Sequence, residues 1–242
     1  MSPHDSVRVV LVAPRNPLNI GAAARAMSNF GFQHLRVVNP YEVAFREARS
    51  GVGAGPVMQA AKVFSSVAEA VADAILVVGT TSVGHRELQH PLRRLDQAAR
   101  FIRREAISGV VALLFGSERF GLSNDDLSHC QWLLRIPMWE AHQSMNLGQA
   151  VAVCLYELGR TLQGRAAPPK RRKAATAGEV EQITRLLIEV ARTSGYVKPK
   201  IEQSTEQKLR RMVRRLELSA SDAPLWLGVL RQALWALGRS AE

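Results

Sequence analysis

Three polar side chains and a glycine near the middle of this sequence are spaced so that they could meet a single ligand. Gly116 and Glu118 follow an apolar run in Leu113-Leu114-Phe115-Gly116-Ser117-Glu118-Arg119-Phe120-Gly121-Leu122. A second run, Trp132-Leu133-Leu134-Arg135-Ile136, breaks off at Pro137-Met138, and Ser144-Met145-Asn146-Leu147 then opens an apolar helix. An apolar run of strand length that stops at Gly or Pro is how a buried parallel strand reads where it delivers the chain to a ligand-binding edge. Gly116 lets the backbone approach a ligand, and Glu118 lies just beyond it. Ser144 and Asn146 stand where a helix presents its unpaired N–H groups, either as caps or as ligand contacts.

Two earlier segments end in the same manner. Residues 75–78 form an apolar run that stops at Gly79-Thr80-Thr81-Ser82, which adds hydroxyls to that edge. Residues 7–12 are a β-rich run followed by a loop and then, over residues 20–30, an Ala-rich helix, with Asn19 as its cap and Gly31 at its end. Arg25 follows Asn19 by six residues, near enough for both to face one ligand. His85 and His90 have no acid partner in sequence and are poor candidates for catalysis. Gly51-Val52-Gly53-Ala54-Gly55 has the wrong spacing, and no strand before it, for a dinucleotide fingerprint, which disfavours a nicotinamide dehydrogenase.

Positioning these residues requires alternating strands and helices over about the first 160 residues, hence an α/β fold: a mostly parallel sheet with helices on both faces. Further strands are expected at residues 35–38 and 110–115, and further helices at 41–50, 67–72 and 95–105. Residues 163–178, centred on Pro168-Pro169-Lys170-Arg171-Arg172-Lys173, have the composition of a linker. Three helical patterns follow, over residues 179–193, 205–216 and 224–237.

The chain has 242 residues, 47% of them hydrophobic, enough for a sizeable core. Neither a membrane span nor a secretory leader is legible, so the cytoplasm is the expected location. Cys130 and Cys154 lack metal-ligand or disulfide spacing and read as buried thiols. The net charge of +11 is regional: residues 160–242 hold 17 Lys+Arg against 8 Asp+Glu, whereas residues 1–159 hold 15 against 13. Such a block reads as a nucleic-acid surface or as a solvated helical face.

Three motifs in order, Asn19-Ile20-Gly21-Ala22-Ala23-Ala24-Arg25, Gly116-Ser117-Glu118-Arg119-Phe120-Gly121-Leu122, and Ile136-Pro137-Met138 with Ser144-Met145-Asn146-Leu147, resemble the SpoU/TrmH branch of the SPOUT methyltransferases, most closely the TrmJ-like tRNA 2'-O-methyltransferases. The resemblance covers residues 7–160 well and the tail more loosely. It implies a domain over residues 1–164 with a C-terminal trefoil knot, a basic linker over 165–178 and a small all-helical, RNA-binding domain over 179–242. It also implies a homodimer. The cofactor would be S-adenosyl-L-methionine, held by Thr80, Thr81, Ser82, Gly116, Ile136, Gln143, Ser144 and Met145, and no metal is implied. Asn19, Arg25, Glu118, Ser144 and Asn146 match the family's catalytic set. The implied substrate is tRNA, at the pyrimidine in position 32. Alternatives are 2'-O-methylation of ribosomal RNA and a non-catalytic RNA-binding protein of the same fold.

Overall fold

A computed structural model describes residues 3–50, 55–82, 90–139, 144–160, 173–198 and 202–239. Gln143, the loop with His85 and Arg86, the glycine run at 51–54 and the basic residues 170–172 lie outside the described residues. The chain runs α1 (Pro3–Ser6), β1 (Val7–Val12), α2 (Pro17–Asn29), β2 (His34–Val38), α3 (Glu42–Ser50), α4 (Pro56–Gln59), β3 (Lys62–Phe64), α5 (Val67–Ala70), β4 (Ala74–Thr80), β5 (Leu92–Arg94), α6 (Leu95–Ser108), β6 (Val110–Phe115), α7 (Asn124–Ser128), β7 (Trp132–Arg135) and α8 (Leu147–Gly159). Three helices close it: α9 (Ala177–Thr193), α10 (Glu202–Arg215) and α11 (Ala223–Arg239).

The strands make one seven-stranded sheet, ordered β3-β2-β1-β6-β4-β7-β5, with every pairing parallel. Parallel strands need both faces covered, and alternate residues supply them. Val9, Leu11, Leu113, Phe115 and Leu134 pack on one side with α2, α3, α6 and α8, while Val10, Val12, Leu114 and Leu133 pack on the other with Val67, Leu127 and Ala177. The expected mostly parallel α/β sheet is therefore present. The short outer strands β3 and β5 and the five-residue α7 had too little apolar periodicity to be read from sequence.

α2 begins earlier than its alanine run suggests. Asn16, not Asn19, is the cap: its side chain accepts from the Leu18 N–H, and Pro17 takes the first helical position. Proline suits that position because its missing N–H would have no intrahelical partner there. Asn19 is thereby moved into the first turn, where its side chain is free to reach across to other segments. Gly31 follows the helix with φ +77°, the left-handed conformation that glycine takes without strain.

The C-terminal helices have a small core of their own, in which Val180, Ile183, Val213, Ala223 and Leu230 are buried. The end of the expected linker belongs to this segment. Ala175 is buried and donates its N–H to Leu218 O, and Thr176 forms a capping box with Glu179 that starts α9 at Ala177. α9 also reaches the turn before β4, where Gly178 N–H donates to Ala72 O at 2.7 Å.

The arginines of α10 do not form the solvated basic stripe that their spacing suggests. Arg211 and Arg214 are only 8% and 2% exposed. Arg214 donates to the Glu181 carboxylate at 3.3 Å, the Arg210 Nε stands 3.5 Å from it, and Arg210 Nη1 donates to Ser128 Oγ at 3.3 Å. His129, 3.8 Å from Glu181 and itself buried, is pushed down to about 3 by burial and by the neighbouring Arg214, Arg210 and Arg185. It is neutral at ordinary pH.

Candidate functional site

The carboxyl ends of β4 and β6 open into a groove of about 510 Å³. Thr80, Thr81, Ser82, Gly116, Ser144 and Met145 line it, together with Glu118, Leu122, Leu127, Met138 and Leu147. The sheet builds this edge directly. Thr80 Oγ1 donates to Leu114 O at 2.9 Å, tying the end of β4 to β6, and Thr81 N–H donates to Leu134 O at 3.0 Å, tying it to β7. Gly79 lies where a Cβ would fall 2.9 Å from Cys130 Sγ and 3.2 Å from Leu127 Cδ2, so the core against the end of β4 has no room for a side chain there. Both cysteine thiols are buried and pushed up to about 12 by that burial, which leaves them inert packing groups.

Gly116 has a sharper constraint. The loop after β6 turns back on itself through Gly121, at φ +67°, with Gly121 N–H donating to Ser117 O at 2.9 Å. A Cβ on Gly116 would lie 2.0 Å from the Gly121 carbonyl carbon, so any larger residue would force this turn open. The glycine is thus needed for the turn itself.

The turn fixes Glu118, and Glu118 fixes the start of α2. Its Oε2 accepts from the Arg15 N–H at 3.2 Å, and its Oε1 accepts from the Asn16 N–H at 3.1 Å and from Asn19 Nδ2 at 3.0 Å. Asn19 Oδ1 accepts in turn from Asn146 Nδ2 at 2.7 Å, and Asn146 Oδ1 caps α8 by accepting from the Gly148 and Gln149 N–H groups. Three segments distant in sequence are thereby tied by one chain of hydrogen bonds. α2 and α8 cross closely enough to allow it: a Cβ on Gly148 would meet Ala22 Cβ at 2.6 Å. Burial alone would raise the Glu118 carboxyl, but the donors on Asn19, its own backbone, Arg15 and Asn16 outweigh it and hold the group below the usual carboxylate range. It is ionised and acts as an acceptor at neutral pH.

Of the residues singled out by sequence, Asn19, Glu118 and Asn146 are brought into direct contact, with Ser144 exposed on the adjoining groove wall. Ile136 is buried in the core beneath the groove. Arg25 stands apart. At about 3.6 residues per turn, six residues are one and two-thirds turns, so Arg25 and Asn19 leave α2 on different sides. Its exposed side chain lines a separate groove with Leu18, Ala22, Ser28, Glu47 and Met58, and it forms no ion pair with Glu118. The backbone donors of Arg15 and Asn16 escaped the sequence reading, although Asn-Pro at a helix start signals that geometry.

Comparison with known proteins identifies the family. The SpoU rRNA Methylase family matches residues 6–156. TrmJ of Pseudomonas aeruginosa, a tRNA (cytidine/uridine/adenosine-2'-O-)-methyltransferase, is 32% identical, covering 94% of this chain and 93% of its own. The Yersinia pestis tRNA (cytidine/uridine-2'-O-)-methyltransferase TrmJ is also 32% identical, over 93% of this chain and 90% of its own. The crystal structure of TrmJ from Z. mobilis superposes with a TM-score of 0.80 at 33% identity, covering 93% of this chain and 97% of that one. This chain, with its groove at the carboxyl edge of a parallel sheet and three motifs tied together beside it, belongs to the SpoU rRNA Methylase family, on its TrmJ branch.

Proposed function

We propose that this chain transfers a methyl group from S-adenosyl-L-methionine to a ribose 2'-hydroxyl of tRNA, at the pyrimidine in position 32 of the anticodon loop. The observation that carries this reading is the chain Glu118–Asn19–Asn146, standing beside a groove in a protein one-third identical to TrmJ enzymes over nearly its whole length. The groove suits the cofactor. Its volume is in the range of small-molecule clefts, Leu122, Leu127, Met138 and Leu147 offer apolar walls to a flat base, and Thr80, Thr81, Ser82, Gly116 and Ser144 offer polar groups. Ile136 and Gln143 complete the set we assign to cofactor binding. When bound, the cofactor supplies a sulfonium methyl as electrophile together with its own leaving group.

The roles of the side chains follow from their donors and acceptors. Glu118 has three of its roughly four lone-pair positions occupied, so we assign it to holding the loop before α2 rather than to taking the substrate's proton. Asn19 and Asn146 set the distance between α2 and α8 across the ribose position, and Ser144 orients the ribose or the methionine end of the cofactor. A 2'-hydroxyl is a poor nucleophile, and its developing alkoxide needs positive charge nearby. Arg25, protonated at any ordinary pH, fits that need. Because it leaves α2 away from Glu118, we read it as serving the groove of a second copy in a homodimer. The exposed Leu18 on α2 and Val153 and Tyr156 on α8 supply apolar surface for such a contact.

The knot belongs to the same reading: β7 pairs on one side with β4 and on the other with β5, entering between two strands that precede it in sequence. The division into residues 1–164, 165–178 and 179–242, with the last linker residues from Ala175 joined to the helical segment, and a cytoplasmic location are likewise part of it; among the described residues, no helix is long and apolar enough to cross a membrane.

Incubation with S-adenosyl-L-methionine and unmodified tRNA or ribosomal RNA, followed by nuclease digestion and mass spectrometry, tests the reading. A 2'-O-methylated pyrimidine at position 32 is expected. Product at another tRNA position would change the site, product in ribosomal RNA alone would change the substrate, and cofactor binding without product in either would favour the binding protein. Mixing Arg25→Ala and Glu118→Ala subunits tests the dimer: activity recovered only in the mixture requires that Arg25 act across subunits.

A further inference from the structure

The inward turn of Arg210, Arg211 and Arg214 leaves open where the RNA backbone is held. At one end of the sheet order, β5 forms an outer edge on which Leu92, Arg93 and Arg94 are all exposed. The Arg93 guanidinium lies over two rings at once, 4.8 Å from the centroid of Trp132 and 5.0 Å from that of Phe101. Arg104 covers Phe101 as well, at 4.8 Å. A guanidinium held over aromatic rings is restricted in position while its N–H groups stay available for phosphate.

The counter-charges here are few. Residues 90–109 hold five arginines against Asp96 and Glu105. Asp96 pairs with Arg94 at 3.2 Å and Glu105 with Arg104 at 3.4 Å, and Arg103 donates to Glu157 O. Arg93 and Arg100 have no acidic partner among the described residues, and Arg100, four positions before Arg104, shares its face of α6.

Register puts this edge beside the groove. Leu134 pairs with Thr80 on one side and with Arg93 on the other. Arg93 therefore lies level with a groove-lining residue and two strand spacings, about 10 Å, away from it. We propose that the β5–α6 edge, through Arg93 and Arg100, holds the RNA phosphates that flank the nucleotide presented to the groove. This rests on the methyltransferase reading and names the surface by which that site holds its substrate.

The test uses the full chain and an unmodified tRNA transcript, with binding followed by fluorescence anisotropy over a range of salt concentrations. The Arg93→Ala/Arg100→Ala double variant is expected to bind about tenfold or more weakly, with a salt dependence shallower by about two released counterions. Its affinity for S-adenosyl-L-methionine, measured by calorimetry, should be unchanged, which separates a lost contact from a damaged fold. Arg93→Lys, which keeps the charge and loses the guanidinium over the two rings, should retain most of the salt dependence. A double variant that binds tRNA like the parent would overturn the proposal. So would an equal loss from Lys62→Ala/Arg231→Ala, exposed cations on β3 at the other end of the sheet order and on α11, since any exposed cation would then serve. Failure of the methyltransferase reading is scored separately, as absence of 2'-O-methyl product from the unaltered protein.

Discussion

Glu118 and Glu181 each sit where distant parts of the chain meet, and they are satisfied in opposite ways. Glu118 takes two backbone N–H groups and a side-chain amide, all neutral donors, at the edge of an open groove. Glu181 is ringed by guanidiniums of α10 at a buried seam. Neutral donors anchor a carboxylate without consuming cations, and so leave nearby positive charge to act on a ligand. Guanidiniums neutralise it, fasten the helices, and are themselves used up. The basic residues that look most like a nucleic-acid surface in sequence are partly structural for this reason.

The largest effect that would sharpen this contrast is on stability. Glu181→Ala strands Arg214 and Arg210 without their carboxylate, and removing one partner of a buried pair costs about 3–5 kcal/mol. Urea unfolding should show that loss, with turnover nearly intact at low temperature. Glu118→Ala should do the reverse, lowering methyl transfer about 100-fold, as removal of a positioned polar group does, while the unfolding midpoint moves little. A large stability loss there would erase the distinction. Asn146→Asp is subtler: the carboxylate still caps α8, but the amide donor to Asn19 is gone, and activity should fall about tenfold with a stability change under about 1 kcal/mol.

The smallest effect is set by pH. His129 is held near 3 in the fold against an ordinary value of 6.5, so below 6.5 the unfolded chain binds a proton that the fold excludes. Its contribution to stability is complete above 6.5 and declines as pH falls. Between pH 7 and 5.5 the parent should lose about 1 kcal/mol more than His129→Gln. Equal slopes for the two proteins would remove His129 from the seam's response to acid.

Sequence carried the sheet and the groove further than it carried the seam. Apolar runs that end at Gly79, Gly116 and Pro137 mark strand ends because burial on both faces leaves little else possible there. Motif order placed Asn19, Glu118 and Asn146 together, although which of them touch depends on the crossing of α2 and α8, which no local pattern encodes. The expectation that Arg25 and Asn19 face one ligand fails within the subunit, because proximity along a helix says nothing about angle around it. The arginines of α10 misled because whether a cation faces solvent or a carboxylate on another helix is decided by long-range packing. Asp125 and Ser128, which α10 reaches across to, lie on a helix too short to show any periodicity.

The strand order also has a history in time. Val9 in β1 pairs with Leu35 on one side and with Leu113 on the other, and β7 is laid between β4 and β5 only after both have been synthesised. Contacts of such long sequence separation slow folding, because the chain must close large loops before any pairing repays the entropy. The groove edge is completed only when Leu134 bonds Thr81. On an emerging chain, competence to bind a ligand would thus be among the last properties acquired, and a nascent protein would remain inactive until the sheet closes.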